Sequence, residues 1–504
     1  MSKTIFDMFE ASCQACADKA LFERPGQSSI SYQEAMVQAR QLASVLKDLG
    51  VKPGDRVAAQ VDKSVEAILL YLACLQTGGV FLPLNTAYTG TEIDYFLNDA
   101  EPRLFVCTLA SFDEHSKRAT SSMAVESLGS DADGTLMALA AKAQPLTEVM
   151  ARSSEDAAAI LYTSGTTGRS KGAILTHGNL ASNCESLIDA WRFESTDRLI
   201  HALPIFHTHG LFVACNMALA TGATMIFLTR FDVDELIDLM GSSTVLMGVP
   251  TFYTRLLKSS RLTHEATQGM RLFTAGSAPL SAEEHATFQE RTGHAILERY
   301  GMTETCMITS NPYDGERRPG AVGMPLPGVE VRIADRESGA ALPQGEIGAI
   351  EVRGPNVFLG YWRMPEKTAS EFRDDRFFIT GDLGLIDADG YLRIVGRDKD
   401  LVISGGYNVY PKEVESLIDE LPEVVESAVI GVAHPDLGEG VTAVVVVRPG
   451  MSLDATQIKE ALSDKLARYK QPKQVFVVEE LPRNVMGKVQ KNELRVRYAD
   501  IYKS

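Results

Sequence analysis

Apolar positions recur with helical spacing over Ser31 to Leu49 and over Val65 to Thr77, and short apolar runs stand at Arg56 to Gln60 and Val80 to Leu82. The first pattern predicts helices with a buried face and the second predicts buried strands, so the chain up to Ala110 reads as alternating helix and strand. That alternation returns after Glu155. Between the two stretches, Ser111 to Arg152 is rich in Ala, Ser and Asp with a weak strand signal, which predicts a partly helical connection. From Gly320 to Arg397 the texture changes to short β-like runs at Val329 to Ile333, Gly348 to Val352 and Tyr391 to Val395, broken by Gly, Pro and Asp. After Gly396-Arg397-Asp398-Lys399-Asp400 a compact α+β pattern follows. Helices are expected near Lys412 to Glu420 and Asp454 to Leu466, and strands at Ser427 to Val432, Val441 to Val447 and Gln474 to Val478. The expected fold class is α/β: a large N-terminal domain over residues 1–397, made of βα subdomains and a small β-barrel-like subdomain, and a small mobile α+β C-terminal domain over 398–504.

The length of 504 residues agrees with more than one core, and 45% hydrophobic with 23% charged residues excludes a disordered chain. A net charge of -17 argues against a nucleic-acid partner, whose phosphates are neutralised by Lys and Arg. Seven scattered cysteines form no framework; they favour a reducing compartment and read as small buried hydrophobes. Cys13 and Cys16 form C-x-x-C, but no second pair exists to complete a zinc site, and incidental helix packing is expected. The first residues carry Asp7 and Glu10 and lack the apolar core of a signal peptide. The longest apolar stretch, Gly210 to Leu228, is interrupted by Asn216, Thr221, Gly222 and Thr224 and falls short of a membrane span. A cytoplasmic protein with no membrane partner is expected.

The sharpest local signal is Ala159-Ile160-Leu161-Tyr162-Thr163-Ser164-Gly165-Thr166-Thr167-Gly168-Arg169-Ser170-Lys171-Gly172. A buried strand gives way to a turn in which glycines permit close approach, Thr163, Ser164, Thr166 and Thr167 offer donors, and Lys171 adds charge, the chemistry of an oligophosphate cradle. Gly172 after Lys171 departs from the G-x-x-x-x-G-K-[ST] pattern, which weakens a kinase or GTPase reading. Taken alone, the fragment also fits a flexible Ser/Thr/Gly loop. With the segments His201 to His207, Thr274 to Leu280, Tyr300-Gly301-Met302-Thr303-Glu304, Tyr361-Trp362, Thr380-Gly381-Asp382, Gly396 to Asp400 and Pro482 to Lys488 following in order, nearly the whole chain resembles the adenylate-forming superfamily of acyl-CoA synthetases, adenylation domains and luciferases.

The resemblance implies an AMP-forming acid–thiol ligase using ATP, Mg²⁺ and coenzyme A. It assigns Thr163, Ser164, Gly165, Thr166, Thr167, Gly168 and Lys171 to ATP phosphates, and Gly276, Ser277, Ala278 and Tyr300 to adenine. Asp382 and Arg397 go to the ribose, Thr303 to the α-phosphate and Glu304 to the metal. Lys488 would bridge the attacking carboxylate and the α-phosphate, stabilising charge where two anions meet; His207, Thr303 and Glu304 complete the catalytic set. A hinge at Asp398 or Lys399 would then withdraw Lys488, and Gly405 and Gly406 would line the pantetheine path; Lys412, Arg468, Lys470 and Lys473 fit CoA phosphates and solvated helix faces equally well. Acylation of Lys488 would remove its charge and switch the enzyme off.

Arg255 stands one helical turn after the strand that feeds the acyl pocket, where a guanidinium would bind a second substrate carboxylate. His207 and His209 add donors, and Ser277 and Met302 limit size. In these details the chain resembles the malonyl-CoA synthetases within the superfamily, which implies malonate, with methylmalonate tolerated. A ligase for another short or aromatic acid stays open. An adenylation domain serving a carrier protein, a luciferase-like oxygenase and a non-catalytic CoA-binding scaffold are less favoured; Lys488, Glu304 and Asp382 together count against the scaffold.

Overall fold

The computed structural model describes residues 3–163, 170–484 and 487–502. They fall into two compact units: residues 1–330 with 353–372, and residues 331–352 with 373–504.

The first unit is built on two sheets. In the nine-stranded one, Leu297–Met302, Leu272–Ala275, Val245–Gly248, Arg198–His201, Thr224–Phe227 and Ala20–Glu23 lie side by side and parallel, with antiparallel strands at both edges. The seven-stranded one has Val80–Pro83, Arg56–Gln60, Leu104–Cys107 and Ala124–Ser127 in parallel. Parallel strands need covered faces, and the helices supply the cover. Tyr32–Asp48 starts at a reciprocal cap in which Ser31 accepts from the Glu34 amide and Glu34 accepts from the Ser31 amide. Val65–Gln76 is buried on every face, as its almost uninterrupted apolar sequence requires. Ile93, Phe96 and Leu97 of Gly90–Ala100 pack over Ala58, Leu82 and Phe105 of the seven-stranded sheet.

In the second unit, Glu330–Ala334, Gly348–Arg353, Phe378–Ile386 and Leu392–Arg397 form a four-stranded sheet. Its ends are drawn together by Glu351, which is fully buried and accepts from Arg332 Nε at 2.8 Å and Arg373 Nε at 2.7 Å. The remainder is a five-stranded sheet with helices on both faces. Along Val424–His434, Val429 joins Val414, Ile418, Ile458 and Leu462 on one face, while Ala428, Ile430 and Val432 join Leu481 and Leu494 on the other. Strict alternation between two buried faces explains why Val441 to Val447 reads as one apolar run.

Most expected elements stand within a residue or two of their predicted ends; Arg56–Gln60 and Gln474–Val478 coincide with them. Residues 111–152 differ: beside short helices they contain the strand Ala124–Ser127 at a sheet edge, where only alternate residues are buried and the apolar signal is correspondingly faint. All seven cysteines are free; five are buried, but Cys13 and Cys16, at the end of Ile5–Ala15, are only partly so. No helix among the described residues is long and apolar enough to cross a membrane.

Removing the Glu351 carboxylate leaves the partly buried Arg373 without this acid, while Arg332 keeps only Asp375, and empties a fully buried position between them. Glu351→Ala is therefore expected to cost about 3–5 kcal/mol of stability, read as a lowered urea midpoint; an unchanged midpoint would show that the two arginines do not depend on it.

Candidate functional site

Four adjacent parallel strands, Arg198–His201, Val245–Gly248, Leu272–Ala275 and Leu297–Met302, deliver candidate residues at or beyond their carboxyl ends, the edge at which open parallel sheets bind ligands. Gly276, Ser277 and Ala278 follow the third strand. Ser277 holds φ +73°, a left-handed conformation that costs a non-glycine residue and commonly marks a ligand site. A Cβ on Gly276 would fall 2.5 Å from the Arg299 guanidinium, so any side chain there would displace that group. On the fourth strand Tyr300 is buried, and the ladder shifts register between Tyr300 and Gly301. A Cβ on Gly301 would meet the Cys306 carbonyl at 2.0 Å, which forces the tight turn carrying Met302, Thr303 and Glu304.

Glu304 is buried and accepts from the Tyr361 hydroxyl at 2.9 Å; burial raises its pKa, partly offset by its hydrogen bonds and by Lys171. The Lys171 ammonium stands 4.2 Å from the Tyr361 ring centroid and 3.8 Å from Glu371 Oε1, and Glu371 also pairs with Lys367. Thr163, half-buried at its strand end, donates through Oγ1 to the Lys171 carbonyl over a long 3.5 Å. Ser164, Gly165, Thr166, Thr167 and Gly168 lie outside the described residues.

His209 opens a wide, π-type helical segment, His209–Cys215, a distortion that recurs at functional sites. Gly210 follows it so closely under Pro204 that a Cβ would lie 2.0 Å from that carbonyl. Both His209 ring nitrogens are buried without a hydrogen-bond partner, and burial, then Arg299 and His207, keep the ring neutral. Arg299 itself is 3% exposed, its Nε and Nη2 have no hydrogen-bond partner, and no acid pairs with it among the described residues. Burial pulls its pKa down only to about 10, so at neutral pH it is a cation without a counter-charge. Arg255, by contrast, is exposed in the last turn of Pro250–Leu257, its guanidinium 5.8 Å from the Phe231 ring centroid. The sequence reading chose Arg255 and passed over Arg299. The signal available was a pair of charges, Glu298 and Arg299, inside an otherwise strand-like run.

In the second unit Asp382 is buried and in register with Arg397, whose Nε stands 3.3 Å from Asp382 Oδ1. Lys488 lies in the field of the same two groups and of Lys399 and Asp400. Although Lys488 as a residue remains exposed, burial of its charge and then Arg397 bring its pKa down to about 8, against the opposing pull of Asp382. Gly405 and Gly406 have φ +59° and +82° in the turn before Tyr407–Val409. Lys412 stands 4.0 Å from Asp419, and Lys470 is paired with Glu413 at 2.6 Å.

Residues 9–362 match the AMP-binding enzyme family and residues 413–488 the AMP-binding enzyme C-terminal domain. The ATP-bound crystal structure of MatB from Rhodopseudomonas palustris is 58% identical, with a TM-score of 0.97 and full coverage of both chains. A malonate–CoA ligase of Arabidopsis thaliana is 35% identical over 88% of this chain and 78% of its own. A feruloyl-CoA synthase of an Amycolatopsis species is 36% identical over 94% of this chain and 95% of its own.

An amine with pKa about 8 is half deprotonated near that pH, whereas an ordinary lysine titrates near 10.4. Competitive acetylation at graded pH, read by mass spectrometry, is expected to mark Lys488 as unusually reactive with a midpoint near 8. Asp382→Asn should lower that midpoint further and Arg397→Gln should raise it. Titration alongside the bulk lysines would contradict the geometry.

Proposed function

The chain belongs to the AMP-binding enzyme family, and on that premise we propose that it is an ATP-dependent, AMP-forming malonate–CoA ligase. The observation that carries the choice of acid is Arg299. An ionised group taken out of water is tolerated only when a counter-charge meets it, and none of the described residues provides one. A carboxylate arriving with the substrate would. An acid with one carboxylate must present it to ATP, so a second is needed for the guanidinium, and a short dicarboxylate satisfies both. The neutral ring of His209 beside it offers a hydrogen bond without adding charge.

In the first step a malonate carboxylate oxygen attacks the α-phosphorus of ATP; the P–O bond to the β-phosphate breaks and diphosphate leaves. We assign Lys488 to the charge that builds between the two anions, Thr303 to the α-phosphate, and Lys171 with Thr163 and the segment Ser164 to Gly168 to the other phosphates. Tyr300, Gly276, Ser277 and Ala278 would enclose adenine, with Asp382 and Arg397 at the ribose. A buried carboxylate that accepts from the Tyr361 hydroxyl suits Mg²⁺, which takes one such ligand together with phosphate oxygens; Glu304 would hold it, and bound there it would offset phosphate charge. In the second step the CoA sulfur attacks the acyl carbonyl carbon, the bond to the AMP oxygen breaks, and the thiol proton passes to solvent. Rotation at Asp398 or Lys399 would clear Lys488 from that path, with Gly405, Gly406 and Lys412 along it. His207 and Met302 would shape the acyl end.

Acylation of Lys488 would stop the first step. A cytoplasmic location is proposed with this reading, since free cysteines suit a reducing compartment.

Diphosphate release is to be compared for malonate, methylmalonate, succinate, acetate, propionate, benzoate and octanoate, with Arg299→Met and Arg255→Ala alongside. Malonate is expected to lead, and Arg299→Met to lower its kcat/KM by about 10²- to 10³-fold while propionate gains. If Arg255→Ala alone does this, the second carboxylate sits at Arg255. Preference for acetate or octanoate would reject the dicarboxylate.

A further inference from the structure

The turn Asp398–Asp400, where the reading above puts the hinge, carries two acids, and each has its own arginine. Asp400 Oδ1 accepts from Arg495 Nη2 at 2.7 Å, and the Asp400 side chain is 15% exposed. Arg495 lies on Lys491–Arg497, the helix that follows Lys488. The Lys488 segment is fastened at both ends to one sheet and helix: Lys491 pairs with Glu415 at 2.5 Å, and Arg483 with Glu426. Asp400 and Lys488 therefore move as one piece.

Asp398 faces the other way. Arg336 Nη2 stands 2.5 Å from Asp398 Oδ1. Arg336 belongs to the turn after Glu330–Ala334, whose shape is set by Asp335 accepting from the Ser338 amide at 2.8 Å and its hydroxyl at 2.7 Å, and by Arg373 donating to the Arg336 carbonyl at 3.2 Å. Arg336 is thus held by the small sheet while Asp398 opens the turn leading to Lys488. The contact is ionic and unaligned, since Asp398 Oδ1 makes no hydrogen bond among the described residues.

We propose that Arg336 is a positioning residue for Lys488: its pairing with Asp398 holds the hinge turn in the arrangement that brings Lys488 to Asp382 and Arg397, and so favours adenylation over thioester formation. Both side chains of this pair are about half-exposed, and such a pair biases an equilibrium by about two- to five-fold. That size fits the task. A hinge that turns once per cycle must not be locked, and rotation about the Asp398 backbone swings its carboxylate away from Arg336 and opens the contact. The half-buried Asp400–Arg495 pair lies wholly beyond the pivot and survives the rotation.

The proposal rests on Lys488 acting only in the first step, so the two half-reactions are measured apart. Adenylation is followed as malonate-dependent exchange of labelled diphosphate into ATP without CoA, and the second step as a single turnover of malonyl adenylate with CoA to malonyl-CoA and AMP. Arg336→Ala is expected to slow exchange about two- to five-fold and to leave the thioester step unchanged or faster. The charge-swapped pair Arg336→Asp with Asp398→Arg is expected to restore exchange. A mere loss of structure lowers both steps together; that outcome, or no change in either, overturns the proposal. Lys488→Gln serves as the control: if it exchanges diphosphate at the parental rate, the assignment of Lys488 fails first and Arg336 has nothing to position.

Discussion

Arg299 carries a positive charge in the interior, and among the described residues no carboxylate meets it. A protein seldom keeps such a group, because an interior charge without a counter-charge destabilises the fold. Its surroundings are arranged around that fact. Gly276 puts no side chain against the guanidinium, Ser277 just after it holds a left-handed conformation, and the neighbouring His209 stays uncharged. On the function proposed, the anion that completes the set comes with the substrate, and selectivity follows from that deficit.

Two other cations given roles above are surrounded differently. Lys171 rests between the Tyr361 ring and Glu371, and Lys488 lies within reach of Asp382. Glu371 lies beside Lys171 and Asp382 acts on the charge of Lys488, and on the roles proposed phosphate would take over from both. Phosphate groups are common ligands that a cell always supplies, and a cation waiting for them can be parked at little cost; a cation meant to discriminate one acid from another loses its discrimination if an internal acid satisfies it first. On the roles proposed, the contrast between cations with an acid nearby and Arg299 would follow the division between nucleotide binding and choice of acid.

The elements were legible where burial is one-sided or complete. The helix Tyr32–Asp48, with its Ser31 and Glu34 cap, and the strand Arg56–Gln60 both announce themselves through spacing. Ala124–Ser127 did not, because an edge strand buries every other residue and leaves little apolar contrast. Of the site, the hydroxyl- and glycine-rich loop, Glu304, Asp382 and Lys488 could be singled out from ordered motifs. Arg299 could not, since a charge written in a strand looks the same whether it turns to solvent or to the interior, and only three-dimensional packing separates it from the exposed Arg255. Arg336 escaped for a related reason: its partner lies far along the chain, and a lone arginine in a surface turn carries no periodic signal.

The contact between Gly276 and Arg299 also constrains how such a pocket can change in evolution. While the guanidinium is in place, any side chain at position 276 has to push it aside; once it is gone, that particular obstacle goes with it. On the function proposed, a lineage drifting toward uncharged acids meets less resistance if it loses the arginine before it fills the space, and one drifting back if it clears the space first. The two positions are thereby coupled, visible as epistasis in any library that randomises both.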